Sequence, residues 1–271
     1  MERDLTSGSI FRNVIYFSLP YFLSYFLQTL YGMADLFIVG QFDGVASTTA
    51  VSIGSQVMHM LTVMIVGLAM GATVSIGQSI GAGDKKRASV FVGNTVILFM
   101  GISLVLAVLL LFFVKPAVAV MSTPAEAVSG TAAYLTICFL GIPFITAYNV
   151  ISSIFRGLGD SKSPMYFIAV ACAVNIILDY LFIGFFHLGA SGAALGTTLI
   201  AIKRKQTVIS ISGYCLQKKK KPLGKILNIG IPVALQDGFI QIAFIIITII
   251  ANRRGLNAAA AVGIVEKIIS F

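Results

Sequence analysis

Long runs of apolar residues, each broken by a short polar gap, make up most of this chain. A helix that crosses a bilayer needs about 20 mostly apolar residues. On that measure the pattern predicts spans at about Val14–Val39, Val51–Ile80, Phe91–Val114, Ala132–Phe155 and Met165–Phe186. A sixth span starts near Gly192 and a seventh runs from about Ile226 to Ala251. An eighth begins near Asn257 and meets the end of the sequence at Phe271. The first run is too long for a signal-peptide core and lacks a small-residue cleavage pattern, so it reads as a mature span. The expected fold class is all-α integral membrane.

The gaps carry the charge. With the N-terminus inside, the inner segments hold Arg3, Arg12, Lys85, Lys86, Arg87, Arg156 and Lys162. The stretch around the end of the sixth span adds Lys203, Arg204, Lys205, Lys218, Lys219, Lys220, Lys221 and Lys225. Fifteen inner basic residues stand against Lys115, Arg253 and Arg254 outside, so the N-terminus is expected in the cytoplasm and the protein in the cell membrane. These basic loops also suit contact with anionic membrane lipid.

Composition closes off other classes. The 271 residues are 58% hydrophobic and 11% charged, with a mean hydropathy of +0.96. Soluble domains carry about 25% charged residues, so a soluble enzyme, a disordered protein and a nucleic-acid binder are excluded. The net charge of +9 belongs to the membrane rim, not to a nucleic-acid face. Cys138, Cys172 and Cys215 lie far apart, without disulfide or metal spacing, and read as small core residues. No HExxH motif and no Ser/His/Asp arrangement accompanies His59 and His187, so no enzymatic chemistry is expected.

Laid on itself at an offset of 212, the chain brings Ser18-Leu19-Pro20 over Gly230-Ile231-Pro232. Ala46-Ser47-Thr48-Thr49-Ala50 then falls on Ala258-Ala259-Ala260-Ala261-Val262. Transporters often arise from repeated helix bundles with the substrate path between them. The expectation is a six-helix amino-terminal bundle over residues 1–216, with a basic linker at 217–225. The start of a second, repeated bundle follows over 226–271, so the chain reads as a fragment of a six-plus-six plan.

A charge at mid-bilayer costs about 2.5–3.5 kcal/mol on insertion scales, so embedded acids need a reason. Asp35 sits in the outer half of the first span and Asp179 deep in the fifth. Gln28 precedes Asp35 by two helical turns, and Asn175 and Asp179 share a face four residues apart. Asn149 with Ser153 marks the fourth span, and Thr197 with Thr198 the sixth. Two carboxylates among amide and hydroxyl oxygens form a hard-oxygen site for a proton or for Na⁺. Packed in low dielectric the two acids cannot both ionise cheaply, which lets such a pair couple to an ion gradient. Asp237 is read as interfacial, and Glu266 beside Lys267 as uninformative. Met58, Met60, Met64 and Met70 are assigned to core or lipid packing.

Several motifs now fit together. The run Asp4-Leu5-Thr6-Ser7-Gly8 through Leu19-Pro20, then Gln28 to Asp35 and Val39-Gly40, resembles the opening of multidrug and toxic compound extrusion transporters. The loop Ile80-Gly81-Ala82-Gly83-Asp84-Lys85-Lys86-Arg87-Ala88 is similar to that family's loop between its second and third spans. So are Phe155-Arg156-Gly157-Leu158-Gly159-Asp160-Ser161-Lys162 and Asn175-Ile176-Ile177-Leu178-Asp179. The resemblance implies a two-lobe antiporter that exports small organic cations or drugs in exchange for H⁺ or Na⁺. The family's cation site carries over to Asp35, Asn175 and Asp179, where Na⁺ would bind, with Thr197 added by spacing. Gln28 and Asn149 would form the surrounding polar network, and no cofactor beyond the coupling ion is implied.

Two features depart from that pattern. The carboxyl lobe stops after one span and part of another, leaving self-association open as a means of completing it. The sixth span is interrupted by Lys203-Arg204-Lys205-Gln206, whose three charges at mid-span would cost on the order of 8–10 kcal/mol. A broken or displaced sixth helix is predicted, with a deletion or sequence error as the alternative. The other functional readings are a lipid-linked saccharide flippase of related architecture, which should carry a more basic cavity, and a non-transporting membrane fragment.

Overall fold

The computed structural model describes residues 8–186, 188–195 and 220–269. Among the described residues all regular structure is helical: α1 Ile10–Phe42, α2 Gly44–Gly81, α3 Lys85–Phe112 and α4 Val114–Val120. A 3-10 turn at Ala125–Ala127 leads into α5 Val128–Gly157. Next comes α6 Lys162–Asp179, extended by a π-helical segment at Tyr180–Phe185. A helical stretch at 189–195 is α7, followed by α8 Lys220–Asn252 and α9 Leu256–Ile269. The irregular sixth span foreseen at 203–206 lies outside the described residues.

Six of these helices are long and apolar enough to cross a membrane. The 33 residues of α1 and 38 of α2 make helices roughly 50 and 57 Å long. Both overreach a hydrocarbon core of about 30 Å, so their ends stand in the headgroup region. That is why each begins or ends several residues beyond its apolar run. The helix α8 likewise starts at Lys220, within the stretch read as a linker. Pro222 falls in its first turn, where the missing N–H has no intrahelical partner to lose. In contrast the third span ends at Phe112, two residues short of the apolar run, and the chain bends into α4.

Large apolar side chains turn outward as well as inward. Leu104, Val105, Val108 and Phe112 on α3 are exposed, as are Phe239, Ile242, Ile246 and Ile250 on α8. A bilayer accepts such faces, so no core within these residues needs to cover them. The inward packing centres on α2, which touches α3, α5, α8 and α9. One cluster gathers Ile53, Leu135, Phe139 and Ile142 around α2 and α5. The other gathers Ile76, Phe91, Phe99 and Ile154 around Ile226 of α8.

Antiparallel succession gives the bundle two ends. The near end carries the start of α1 and the α2–α3 and α5–α6 turns; the far end carries α4 and the α8–α9 turn. Both near-end turns use one device. Gly83 (φ +73°) and Gly159 (φ +88°) adopt the left-handed backbone that L side chains resist, and an aspartate follows each. Asp84 accepts a hydrogen bond from the Arg87 N–H at 2.9 Å, capping α3. Asp160 Oδ1 accepts from the Lys162 and Ser163 N–H groups at 3.0 Å each, and Oδ2 from the Ser163 hydroxyl. Asp160→Ala therefore strips three bonds from the start of α6 and should cost about 1–2 kcal/mol, read as a lower thermal unfolding midpoint.

Candidate functional site

A cavity of about 260 Å³ opens between α1, α2, α5, α6, α8 and α9. Each helix contributes side chains at helical spacing. Gln28, Gly32 and Asp35 come from α1; Ser52, Gln56 and His59 from α2; Tyr134, Cys138, Ile145 and Asn149 from α5. Ile168 and Asn175 of α6 close one side, and Gln241, Phe244, Gly263 and Glu266 of α8 and α9 close another. Four tyrosines, at 25, 31, 134 and 148, give the wall aromatic faces. Asp35 and Glu266 are its acids, and no lysine or arginine lines it among the described residues.

The structure brings together most of the residues singled out above. Gln28, Asp35, Asn149 and Asn175 share the cavity wall. Asp179, one turn beyond Asn175, is fully buried, and its carboxyl group meets that of Asp35. The contact exists because α1 packs along α6. Two carboxylates offer only acceptors, so side by side they repel unless one carries a proton. Neither oxygen of Asp179 and neither polar atom of the Asn175 amide has a hydrogen-bond partner among the described residues. Asn149 spends its amide N–H on the Ile145 carbonyl at 2.9 Å. Unmatched polar atoms this deep are rare in folded proteins and mark a place where an ion or substrate can bind.

Other expectations fall elsewhere. Ser153 faces away from the cavity: its hydroxyl accepts from Arg156 at 3.1 Å and its carbonyl from Thr73 at 3.0 Å. Thr197 and Thr198 lie outside the described residues. Met58 lines the cavity, whereas Met64 packs on Gly238 of α8. Asp237 stands at mid-length of α8, with its Oδ2 beside Gly67 of α2.

Sequence reasoning missed the cluster made by Gln56, Thr248 and Glu266. The Gln56 amide donates to Glu266 Oε1 at 2.7 Å, and Thr248 donates to Gln56 Oε1 at 2.5 Å. Thr248 Oγ1 also lies 3.2 Å from Glu266 Oε1. The signal was present: Glu266 closes an apolar stretch from Ala258 to Val265, the context that singled out Asp35. Its neighbour Lys267 disguised it as the charged end of a span.

The α8–α9 hairpin is fastened along its length to α2, and at its far end also to Met121, which ends α4. At the near end Lys225 Nζ donates to Gln78 Oε1 at 2.7 Å and lies over the Phe91 ring. Next to it, Gly71 meets the Ile226 carbonyl and Gly230 the Leu68 carbonyl, so close that a Cβ on either would collide with backbone. At the far end the Asn252 amide donates to the Met121 carbonyl at 2.6 Å, and the Thr49 hydroxyl to the Leu256 carbonyl at 3.4 Å.

Comparison with known proteins agrees with this arrangement. The MatE family model matches residues 20–181. The chain is similar to the "Probable multidrug resistance protein YpnP" of Bacillus subtilis (strain 168), at 30% identity over 279 residues, covering 99% of this chain and 62% of that protein. The "Probable multidrug resistance protein YoeA" of the same organism is 29% identical over 284 residues, covering 97% of this chain and 60% of its own length. A solved outward-facing multidrug resistance MATE family transporter of the MOP superfamily shares the fold, with a TM-score of 0.83 at 24% identity. That likeness covers 98% of this chain and 65% of the solved one. The chain thus spans a little over three-fifths of the length of the relatives it matches.

Proposed function

Because this chain belongs to the MatE family of transporters, we propose that it exports small organic cations or drugs in exchange for H⁺ or Na⁺. The observation that carries the reading is the cavity wall: two acids, four tyrosines and no lysine or arginine among the described residues. Carboxylates attract a positive group, and aromatic faces add cation–π attraction while accepting many shapes. A flippase for anionic lipid-linked saccharides would need the opposite charge. The names of the relatives, multidrug resistance proteins, support the same direction.

Asp35 and Asp179 are the coupling pair in this reading. A proton shared between the two carboxyl groups, or Na⁺ among their oxygens and the Asn175 carbonyl, removes the repulsion of two adjacent charges. Binding of the ion and of the drug then favours different arrangements of the bundle, which is the condition for exchange. The protein sits as a multi-pass protein in the cytoplasmic membrane with its N-terminus inside, supported by the fifteen-to-three distribution of basic residues.

The test is ethidium movement in liposomes that carry the purified chain, under an imposed pH or Na⁺ gradient. Gradient-dependent movement above protein-free vesicles is the expected result. Rates indistinguishable from protein-free vesicles under both gradients would reject antiport by this chain.

A further inference from the structure

The start of α3 and the first turns of α8 meet at the near end around one aromatic ring. Phe91 of α3 is buried, and two cations rest against it. The Arg87 guanidinium lies 6.0 Å from the ring centroid and the Lys225 ammonium 5.9 Å. Their charges are therefore no farther apart than the sum of those distances, although they belong to different helices. Like charges held this close repel unless an anion stands between them. Their hydrogen-bonding capacity is also largely unused. The ammonium of Lys225 has three N–H donors and gives one to Gln78 Oε1 at 2.7 Å. The guanidinium of Arg87 has five and gives none to a described residue; Asp84 accepts from its backbone N–H instead. Lys85 and Lys86 stand exposed in the same loop, so four basic side chains surround one described carboxylate, that of Asp84.

Two observations select a lipid over a dissolved anion. The near end overreaches the hydrocarbon core and stands at the level of the headgroups. Deeper along α8, Ile231 and Leu235 are exposed apolar side chains that acyl chains can cover. We propose that the phosphate of an anionic phospholipid docks between Arg87 and Lys225 over Phe91, joining α3 to α8. Its oxygens accept charge-assisted bonds from both cations, and the guanidinium fork can engage two of them at once. A general attraction of basic loops to anionic lipid depends only on the number of charges. This site depends on the two that share a ring. The bound lipid reinforces the Lys225–Gln78 bond and the close approach of Gly71 and Gly230 beside it. It requires neither an ion gradient nor a transported solute, so it stands apart from the antiport reading.

Native mass spectrometry of the purified full chain, titrated with dioleoylphosphatidylglycerol, tests the site. Arg87→Gln together with Lys225→Gln should weaken binding of the first lipid by about tenfold or more, since its charge-assisted bonds are lost. Lys85→Gln together with Lys86→Gln removes as much charge from the same end and should have a several-fold smaller effect. Arg87→Lys, which keeps the charge, should retain most of the affinity. In nanodiscs, phosphatidylglycerol in place of phosphatidylcholine should raise the thermal midpoint of the unaltered chain but not that of the Arg87/Lys225 variant. Equal weakening in the two double variants would reduce the site to a basic rim and overturn the proposal. So would a midpoint that inorganic phosphate raises as far as phosphatidylglycerol does, because the ligand would then be a dissolved anion. If the double variant fails to fold, Arg87→Gln alone, at an exposed position, carries the test, and unchanged lipid affinity there rejects the site.

Discussion

Gly71→Leu is expected to separate α2 from α8 at the near end of the bundle. A Cβ at Gly71 would already overlap the Ile226 carbonyl and sit 2.9 Å from the Gly230 nitrogen. Restoring ordinary contact, about 3.5 Å between heavy atoms, moves the helices apart by roughly an ångström before the rest of the leucine is placed. Both neighbours are backbone, so no side chain can swing away. Overpacking of this kind costs about 1–3 kcal/mol, which changes the balance between closed and open near ends by about 5–150-fold. The Lys225–Gln78 bond and the stacking of Lys225 on Phe91 lie one to two turns away and should be lost with it.

Both helices line the cavity, so parting them at the near end is expected to widen access to it from that side. The measurement is a spin-label distance between positions 85 and 228 in a cysteine-free background. Gly71→Leu should lengthen or broaden it by several ångströms. Gly101→Leu is the control, since nothing lies within 4 Å of a Cβ there. Equal distances in both variants would remove α2–α8 packing as the near-end closure.

The glycines behind this expectation show where sequence reading stops. Long apolar runs betray spans because lipid demands them, and embedded acids betray a site because burial of charge is costly. Asp35, Asn175 and Asp179 were legible on those grounds. Gly71 and Gly230 were not, since hydropathy cannot tell a glycine facing lipid, such as Gly101, from one pressed against another helix. Glu266 failed for a related reason. An acid near the end of an apolar run reads as a headgroup anchor until another helix is seen beside it, and here Gln56 and Thr248 come from 210 and 18 residues away. The split after Phe112 was hidden as well, because Val114 to Val120 remains mostly apolar across the bend.

Asp179→Asn should make the protein more stable and at the same time abolish ion coupling. Asp179 is fully buried, its carboxyl meets that of Asp35, and neither of its oxygens receives a bond from the described N–H and O–H groups. An amide at this position has the same shape, removes one of two adjacent acids and offers an N–H to the Asp35 carboxylate. A hydrogen bond to a charged acceptor contributes on the order of 2 kcal/mol. For a chain of this size that raises the thermal midpoint by roughly 4–8 °C. The same bond occupies Asp35 with a fixed donor, so neither a shared proton nor Na⁺ can take its place. Gradient-driven ethidium movement should then fall to the level of protein-free vesicles. Stability and coupling thus move in opposite directions, as expected where a strained polar pair is kept for function. A variant that is destabilised, or that still couples dye movement to the gradient, would show that the two carboxyl groups do not act as a pair.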